Sequence, residues 1–174
     1  SRFKIGGLAM TKWRFTIAYD GTRFFGWQTQ NGARTVQSTL EQALRQILQE
    51  KVRVVGAGRT DSGVHAEGQV AHATARSAMP LSKLRRALNA VLPEDLVVRS
   101  VQRAPRHFHA RYSATSKRYR YSIWNDPTRP LVGRERLLHV PVPLNLAAMR
   151  RDTLAALERL PVAQAKLRQQ LPSR

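Results

Sequence analysis

The chain has 174 residues, of which 30 are Lys or Arg and only 11 are Asp or Glu, so its formal net charge is +19. A surface with this excess of positive charge repels itself unless a polyanion binds it, which favours nucleic acid over a membrane as the partner. No segment approaches the ~18 apolar residues of a membrane-spanning helix. The absence of cysteine excludes disulfides, thiolate metal sites and thiol catalysis, and fits a cytoplasmic protein.

Hydrophobic periodicity predicts six elements in the first part of the chain. They are strand 13–19, helix 36–50, strand 51–56, strand 69–75, helix 81–92 and strand 95–103. Ser38 and Glu41 have the spacing of a capping box at the start of the first helix. The order β-α-β-β-α-β predicts an α+β, ferredoxin-like fold, in which two helices cover one face of an antiparallel sheet and leave the other face free.

The remainder of the chain is predicted to add strands and a helix to this fold. Residues 117–125 alternate aromatic and basic side chains as a strand would, residues 137–144 form a weaker strand, and a helix begins after Asn145. We therefore predict four parts: an N-terminal extension without a signal-peptide pattern, in which Met10 is a candidate start; a ferredoxin-like domain; added strands with a linker; and a basic helical tail. Their bounds are 1–12, 13–104, 105–150 and 151–174.

A basic and aromatic segment follows the ferredoxin-like unit. No acidic residue occurs between Val97 and Asn125, whereas Arg111, Arg118 and Arg120 are interleaved with aromatic residues. Cations that bind phosphates and rings that stack on bases are what looped or single-stranded RNA requires, so these three arginines are predicted to bind RNA. The alternative is an ordinary pair of strands with a solvated basic face.

The glycine-rich loop at residues 56–68 contains the chain's most informative carboxylate, Asp61. A carboxylate in such a loop can act as a nucleophile or a base, or its side chain can cap its own turn in an Asx turn, and the residue types leave both readings open. We expect no metal site, because only Glu67 and two histidines lie near Asp61 in the sequence. Of these, His72 is predicted to be a structural strand residue and His65 to pack within the loop.

Six segments occur together in an order that resembles the TruA-type tRNA pseudouridine synthases. They are YDGTRFFGWQTQ, TVQSTLEQAL, GAGRTDSGVHAEGQVAH, ALNAVLPEDLVVRSV, FHARYSATSKRYRYSIWN and, more weakly, PLNLAAMR. The resemblance implies an isomerase that converts uridine to pseudouridine in the tRNA anticodon stem-loop without metal or cofactor. It implies that Asp61 is the catalytic residue, that Arg59 moves the target nucleotide, and that Tyr119 lies against the target base.

The same family implies a second, related domain and a homodimer that binds tRNA across both subunits. After Arg150 the chain has no segment similar to the family's HHMVRN or GLYL motifs, so we expect it to be a truncated member that is inactive by itself. A non-catalytic RNA-binding module is the alternative function.

Overall fold

The predicted order of strands and helices is present in the first of two units into which the chain divides, between Ala114 and Thr115. The computed structural model describes residues 9–158. The elements of the first unit are β1 (Met10–Tyr19), α1 (Val36–Leu48), β2 (Val54–Gly56), β3 (Ala66–Arg76), α2 (Leu81–Val91) and β4 (Leu96–Arg103). The sheet order is β2-β3-β1-β4 with every neighbouring pair antiparallel, which confirms the ferredoxin-like α+β prediction.

Alternation along the central strand β1 builds the core. Trp13, Phe15 and Ile17 are all buried on the face that also holds the apolar stripes of α1 and α2. On β3 the partners of Trp13 and Phe15 are Ala73 and Ala71, whose small side chains leave room for the large rings. Burial of each large apolar side chain contributes about 1.5–3 kcal/mol, so these three side chains together stabilise the unit by several kcal/mol.

The first helix begins with a different capping box from the predicted one. Thr35 is the N-cap; its hydroxyl accepts a hydrogen bond from the backbone N–H of Ser38, and the Ser38 hydroxyl accepts one from the backbone N–H of Thr35. The predicted pair of Ser38 and Glu41 was wrong. Ser38 lies inside the helix, whereas the N-cap residue must directly precede the first helical residue. Glu41 instead accepts a hydrogen bond from the backbone N–H of Val54 at 2.9 Å.

The sheet face opposite the helices is partly covered, which corrects the prediction that it is free. The segment that follows β4 crosses it: the Lys12 ammonium donates to the carbonyl of Phe108 at 2.9 Å, and the N–H of Ala110 donates to Nδ1 of His72 at 3.1 Å. Burial, together with the charges of His109 and Lys12, lowers the pKa of His72 to about 4. His72 is therefore a neutral, satisfied face residue, as predicted, and the compact unit extends beyond residue 104.

The second unit contains a small parallel sheet of β5 (Ile123–Asn125) and β6 (Leu138–Val140), followed by α3 (Leu146–Glu158). The strand predicted over 117–125 is thus limited to its last three residues. Its alternating Tyr119 and Tyr121 are exposed, so no packed face holds that part of the chain in a ladder.

At the two ends of the chain, the predictions overlap the described residues only in part. Residues 10–12 of the predicted extension belong to β1, whereas residues 1–8 and the basic tail after residue 158 lie outside the described part. Among residues 9–158, each helix falls short of the length and apolarity that crossing a bilayer requires.

Candidate active site

Two connections, far apart in the sequence, form the candidate site. One is the Asp61 loop, residues 57–65, which joins β2 to β3; the other is the β1–α1 connection, residues 20–35. Because β1 and β3 are neighbours in the sheet, the two connections leave it close together. The sheet order therefore decides which residues can share the site.

Backbone hydrogen bonds fasten the Asp61 loop to the β1–α1 connection. The N–H of Trp27 donates to the carbonyl of Thr60 at 2.9 Å, and the N–H of Gly63 donates to the carbonyl of Phe24 at 3.2 Å. The hydroxyls of Tyr19 and Thr60 lie 2.9 Å apart in a further hydrogen bond, and burial raises the pKa of that phenol. The backbone on both sides of Asp61 is thus fixed by hydrogen bonds that do not involve the Asp61 side chain.

Two glycines allow this close approach. A Cβ at Gly26 would lie 2.6 Å from the carbonyl oxygen of Thr60, and the φ of Gly26 is +76°, in the left-handed region. A Cβ at Gly56 would lie 2.6 Å from the indole ring of Trp27, which is itself 2% exposed. Neither position accepts a larger residue without moving the wall of the site.

His65 has the packing role that was predicted for it. Its Nδ1 accepts a hydrogen bond from the N–H of Gly21 at 3.2 Å, and the same nitrogen lies 3.2 Å from a carboxylate oxygen of Asp20. These contacts join the end of the Asp61 loop to the start of the β1–α1 connection.

The two connections enclose a cavity of about 270 Å³. This volume is near the lower limit of small-molecule sites, so the cavity suits a group of the size of a single base. Its lining comes from both connections and consists of Phe25, Trp27, Gln28, Gln30, Arg59, Thr60, Asp61 and Ser62. Aromatic surface, two amides, a cation and a carboxylate therefore meet at one place.

The carboxylate of Asp61 is not used by the fold. Asp61 is exposed, and within residues 9–158 its side chain makes neither a hydrogen bond nor an ion pair; only its backbone carbonyl is engaged, by the N–H of Val64 at 3.2 Å. The side-chain hydrogen bond that defines an Asx turn is therefore absent from the described residues. The guanidinium of Arg59 lines the same cavity, also exposed, and forms no ion pair with Asp61 there.

The other predicted site residues lie elsewhere in the described chain. Arg111 is exposed in the segment that crosses the sheet face, with its guanidinium 5.9 Å from the ring centre of Tyr112. Arg118, Tyr119 and Arg120 are exposed residues of the second unit. The structure thus brings together Arg59 and Asp61 at one cavity, and the roles of all six residues stay predictions. No cluster of three metal-ligating side chains occurs within residues 9–158.

The wall that the β1–α1 connection supplies was missed by reasoning from residue types. One of its two glutamines, Gln28, is held by Gln37, a buried residue of the first turn of α1, whereas the Gln30 amide donates to the carbonyl of Phe25. The side-chain oxygen of Gln37 accepts hydrogen bonds from the Gln28 amide at 3.0 Å and from the N–H of Thr29 at 3.1 Å, while its own amide donates to the carbonyl of Val54 at 2.9 Å. The sequence feature that could have indicated this wall is the group of aromatic and amide residues around Gly26, which are Phe25, Trp27, Gln28 and Gln30.

Comparison with known proteins matches this unit to one family. Residues 16–113 match the family model described as tRNA pseudouridine synthase. The tRNA pseudouridine synthase A of Ruminiclostridium cellulolyticum is 48% identical over 142 residues, which are 82% of this chain and 58% of that protein. The enzyme of the same name from Klebsiella pneumoniae subsp. pneumoniae is 46% identical over 135 residues, 78% of this chain and 50% of the relative.

The chain thus spans between half and three-fifths of the length of these two relatives. The family model covers the end of β1, the other three strands of the sheet, both helices and the two connections that line the cavity. The match agrees with the motifs that surround Asp61, and on both grounds the chain belongs to the tRNA pseudouridine synthase family.

Proposed function

We propose that this chain supplies the catalytic half of a tRNA pseudouridine synthase, which isomerises uridine in the anticodon stem-loop, with Asp61 as the catalytic residue. The observation that carries the proposal is the Asp61 carboxylate: exposed, without a side-chain partner among the described residues, and set on a backbone-anchored loop at a base-sized cavity. A fold that holds a carboxylate in place without using it leaves that group for a ligand.

The reaction needs no redox partner. The bond between C1′ of the ribose and N1 of uracil breaks, the base turns, and a bond forms between C1′ and C5; the proton on C5 leaves to solvent and N1 takes up a proton. A carboxylate at Asp61 either adds to C6 of the uracil or assists its departure at C1′, and covalent catalysis of this kind divides one difficult step into two. Both routes start from the same placement of Asp61.

Arg59 and the more distant basic residues serve the tRNA. Taking a base out of a stem costs a few kcal/mol, and the exposed Arg59 guanidinium in the same cavity fills the gap or binds the displaced phosphate. Arg111, Arg118 and Arg120 bind phosphates, and Tyr119 lies against the target base. The proposal includes the family's cytoplasmic homodimer, since one tRNA is then held by two basic surfaces.

The proposed activity requires the part of the enzyme that the longer relatives have. A misplacement of reacting groups by about 1 Å can cost ~100-fold in rate, and a cavity that is open on one side controls the uridine far less well. We therefore expect this chain to bind tRNA but to turn over little by itself. Fusion of the C-terminal part of the Ruminiclostridium relative after Arg150 is expected to supply a second wall for the cavity.

The test measures tritium released to water from unmodified tRNA whose uridines carry the label at C5. The fused protein is expected to release tritium, and Asp61→Asn is expected to abolish the release while leaving tRNA affinity nearly unchanged, because the amide keeps the shape of the side chain and loses its charge. Glu67→Gln, the same change at an exposed carboxylate that does not line the cavity, is the matched control and should retain activity.

Two results would contradict the proposal. One is full turnover by the Asp61→Asn fusion, which would show that another group does the chemistry. The other is a folded fusion that binds tRNA but releases no tritium, which would favour the non-catalytic RNA-binding module. The comparisons do not favour that module, since the relatives that match are named as synthases.

A further inference from the structure

Phe25 is an exposed ring at the mouth of the Asp61 cavity. Its side chain is 60% exposed, whereas its neighbours Phe24 and Trp27 are 1% and 2% exposed. A single exposed phenylalanine is ordinary on a protein surface, so exposure alone says little. Among the cavity-lining residues, however, Phe25 is the only large apolar side chain that the described part of the chain leaves exposed.

The backbone beneath Phe25 is fixed on both sides. Its N–H donates to the carbonyl of Arg34 at 2.9 Å, and its carbonyl accepts from the Gln30 amide at 3.3 Å. The guanidinium of Arg34 also lies over the ring of Phe24, 4.1 Å from its centre. Next to it, Gly26 packs against the Thr60 carbonyl of the Asp61 loop. The position of the Phe25 backbone relative to the Asp61 loop is thus set before any ligand binds, so the ring extends from a fixed point at the cavity mouth.

We propose, on the basis of the proposed function, that Phe25 is a stacking platform for the nucleobase next to the target uridine. Extrusion of one base leaves the face of its neighbour exposed, and an aromatic ring at the cavity mouth covers it. A phenylalanine side chain has only two torsions, so ordering its ring against a base costs little conformational freedom. The cation at Arg59 and the amides of Gln28 and Gln30 bind polar RNA groups around the stack.

Base stacking and phosphate binding can be distinguished by how strongly the binding constant depends on the salt concentration. Phosphate contacts give a slope of log K against log salt of about −0.7 for each contact with a single strand, whereas an uncharged ring contributes none. Loss of a base–aromatic stack weakens binding by about 5- to 150-fold. Phe25→Leu keeps most of the apolar volume and removes the ring face, while Phe25→Trp keeps a ring.

The experiment measures binding of an anticodon stem-loop RNA to the chain as it exists, with 2-aminopurine next to the target uridine. All proteins carry Asp61→Asn, so that only binding is observed. We expect Phe25→Leu to weaken binding 5- to 150-fold with an unchanged salt slope, and to remove most of the change in 2-aminopurine fluorescence. Phe25→Trp should restore both the affinity and the fluorescence change. Val64→Ala, at an exposed apolar residue of the Asp61 loop that does not line the cavity, is the control and should bind as the parent does.

Equal affinity of the Leu variant and the parent would overturn the proposal, as would a Leu variant with a smaller salt slope, or a parent that does not bind the RNA. Equal melting temperatures of the variants show that a loss is not due to unfolding. The outcome is separate from that of the tritium assay: a fusion that releases no tritium, together with the expected Leu and Trp results, refutes the isomerase and leaves the stacking platform standing.

Discussion

Asp95 directly precedes the edge strand β4 and binds the β1–α1 connection through Arg34. Its side chain is 7% exposed, and its two carboxylate oxygens accept hydrogen bonds from the guanidinium of Arg34 at 2.6 and 2.8 Å; Arg23 lies 3.5 Å away. These hydrogen bonds hold the pKa of Asp95 below its usual value. Asp95→Asn keeps the shape and removes the charge, so it isolates the ionic contribution.

The magnitude follows from the geometry. A hydrogen bond between ionised groups contributes about 1.5–3 kcal/mol, but the Arg34 side chain is 38% exposed and solvent screens it, so we expect the variant to lose about 2 kcal/mol in total. For a unit of this size that loss corresponds to a fall in melting temperature of about 8–12 °C. Glu94→Gln removes the same charge from the adjacent, exposed position and should change the melting temperature little.

The pH dependence gives the second half of the test. Because the folded-state pKa of Asp95 is depressed, its contribution is fully present above the unfolded-state value, near pH 4, and is lost as the pH falls through the folded-state pKa. The difference in melting temperature between parent and Asp95→Asn should therefore be constant from pH 7 to about 5 and shrink below about pH 4. A difference that is absent at pH 7, or that grows in acid, would refute the reasoning.

Three further outcomes are expected. Gly56→Ala places a methyl group against a buried indole ring and should cost about 1–3 kcal/mol in thermal unfolding, whereas Gly68→Ala, with its nearest atom 3.9 Å away, should not. The ring of His72 should titrate near pH 4 by NMR; because it stays neutral when folded, stability should fall as the pH drops from about 6.5 towards 4, and a normal titration would contradict this. Replacing Arg118 and Arg120 by Ala together should flatten the salt slope of RNA binding by about 1.4, and an unchanged slope would count against phosphate contacts.

The helices and most strands were predictable because their signals are local. The period-two pattern of Trp13, Phe15 and Ile17 appears within seven residues, and each of the two helices carries its apolar stripe over fewer than four turns. Where the prediction failed, tertiary context decided. Tyr119 and Tyr121 alternate like strand residues, but an alternation forms a strand only when one of its faces packs on something, and both rings are exposed.

The candidate site was predictable only in part, for a related reason. Asp61 was noticed as a carboxylate in a glycine-rich loop, but its catalytic role and the role of Arg59 were predicted only from the resemblance to the family. The opposite wall, with Phe25 and Trp27, joins that loop through hydrogen bonds between residues more than thirty positions apart, such as Trp27 to Thr60. No local period encodes such a pairing. It follows from the sheet order, which becomes known only when the whole unit is assembled.

The contacts that position the site also predict which changes affect the reaction rate and which affect tRNA affinity. The Asp61 loop is positioned by backbone hydrogen bonds and by glycines that admit close contact, while the exposed side chains of Arg59 and Asp61 form no ion pair with each other in the described part of the chain. Changes in the buried wall, at Gly26 or Trp27, therefore shift the carboxylate without removing any charge that binds RNA. Under the proposed function, such changes are expected to lower the rate of tritium release far more than tRNA affinity, because the proposal assigns affinity to dispersed phosphate contacts and the rate to close placement of one carboxylate.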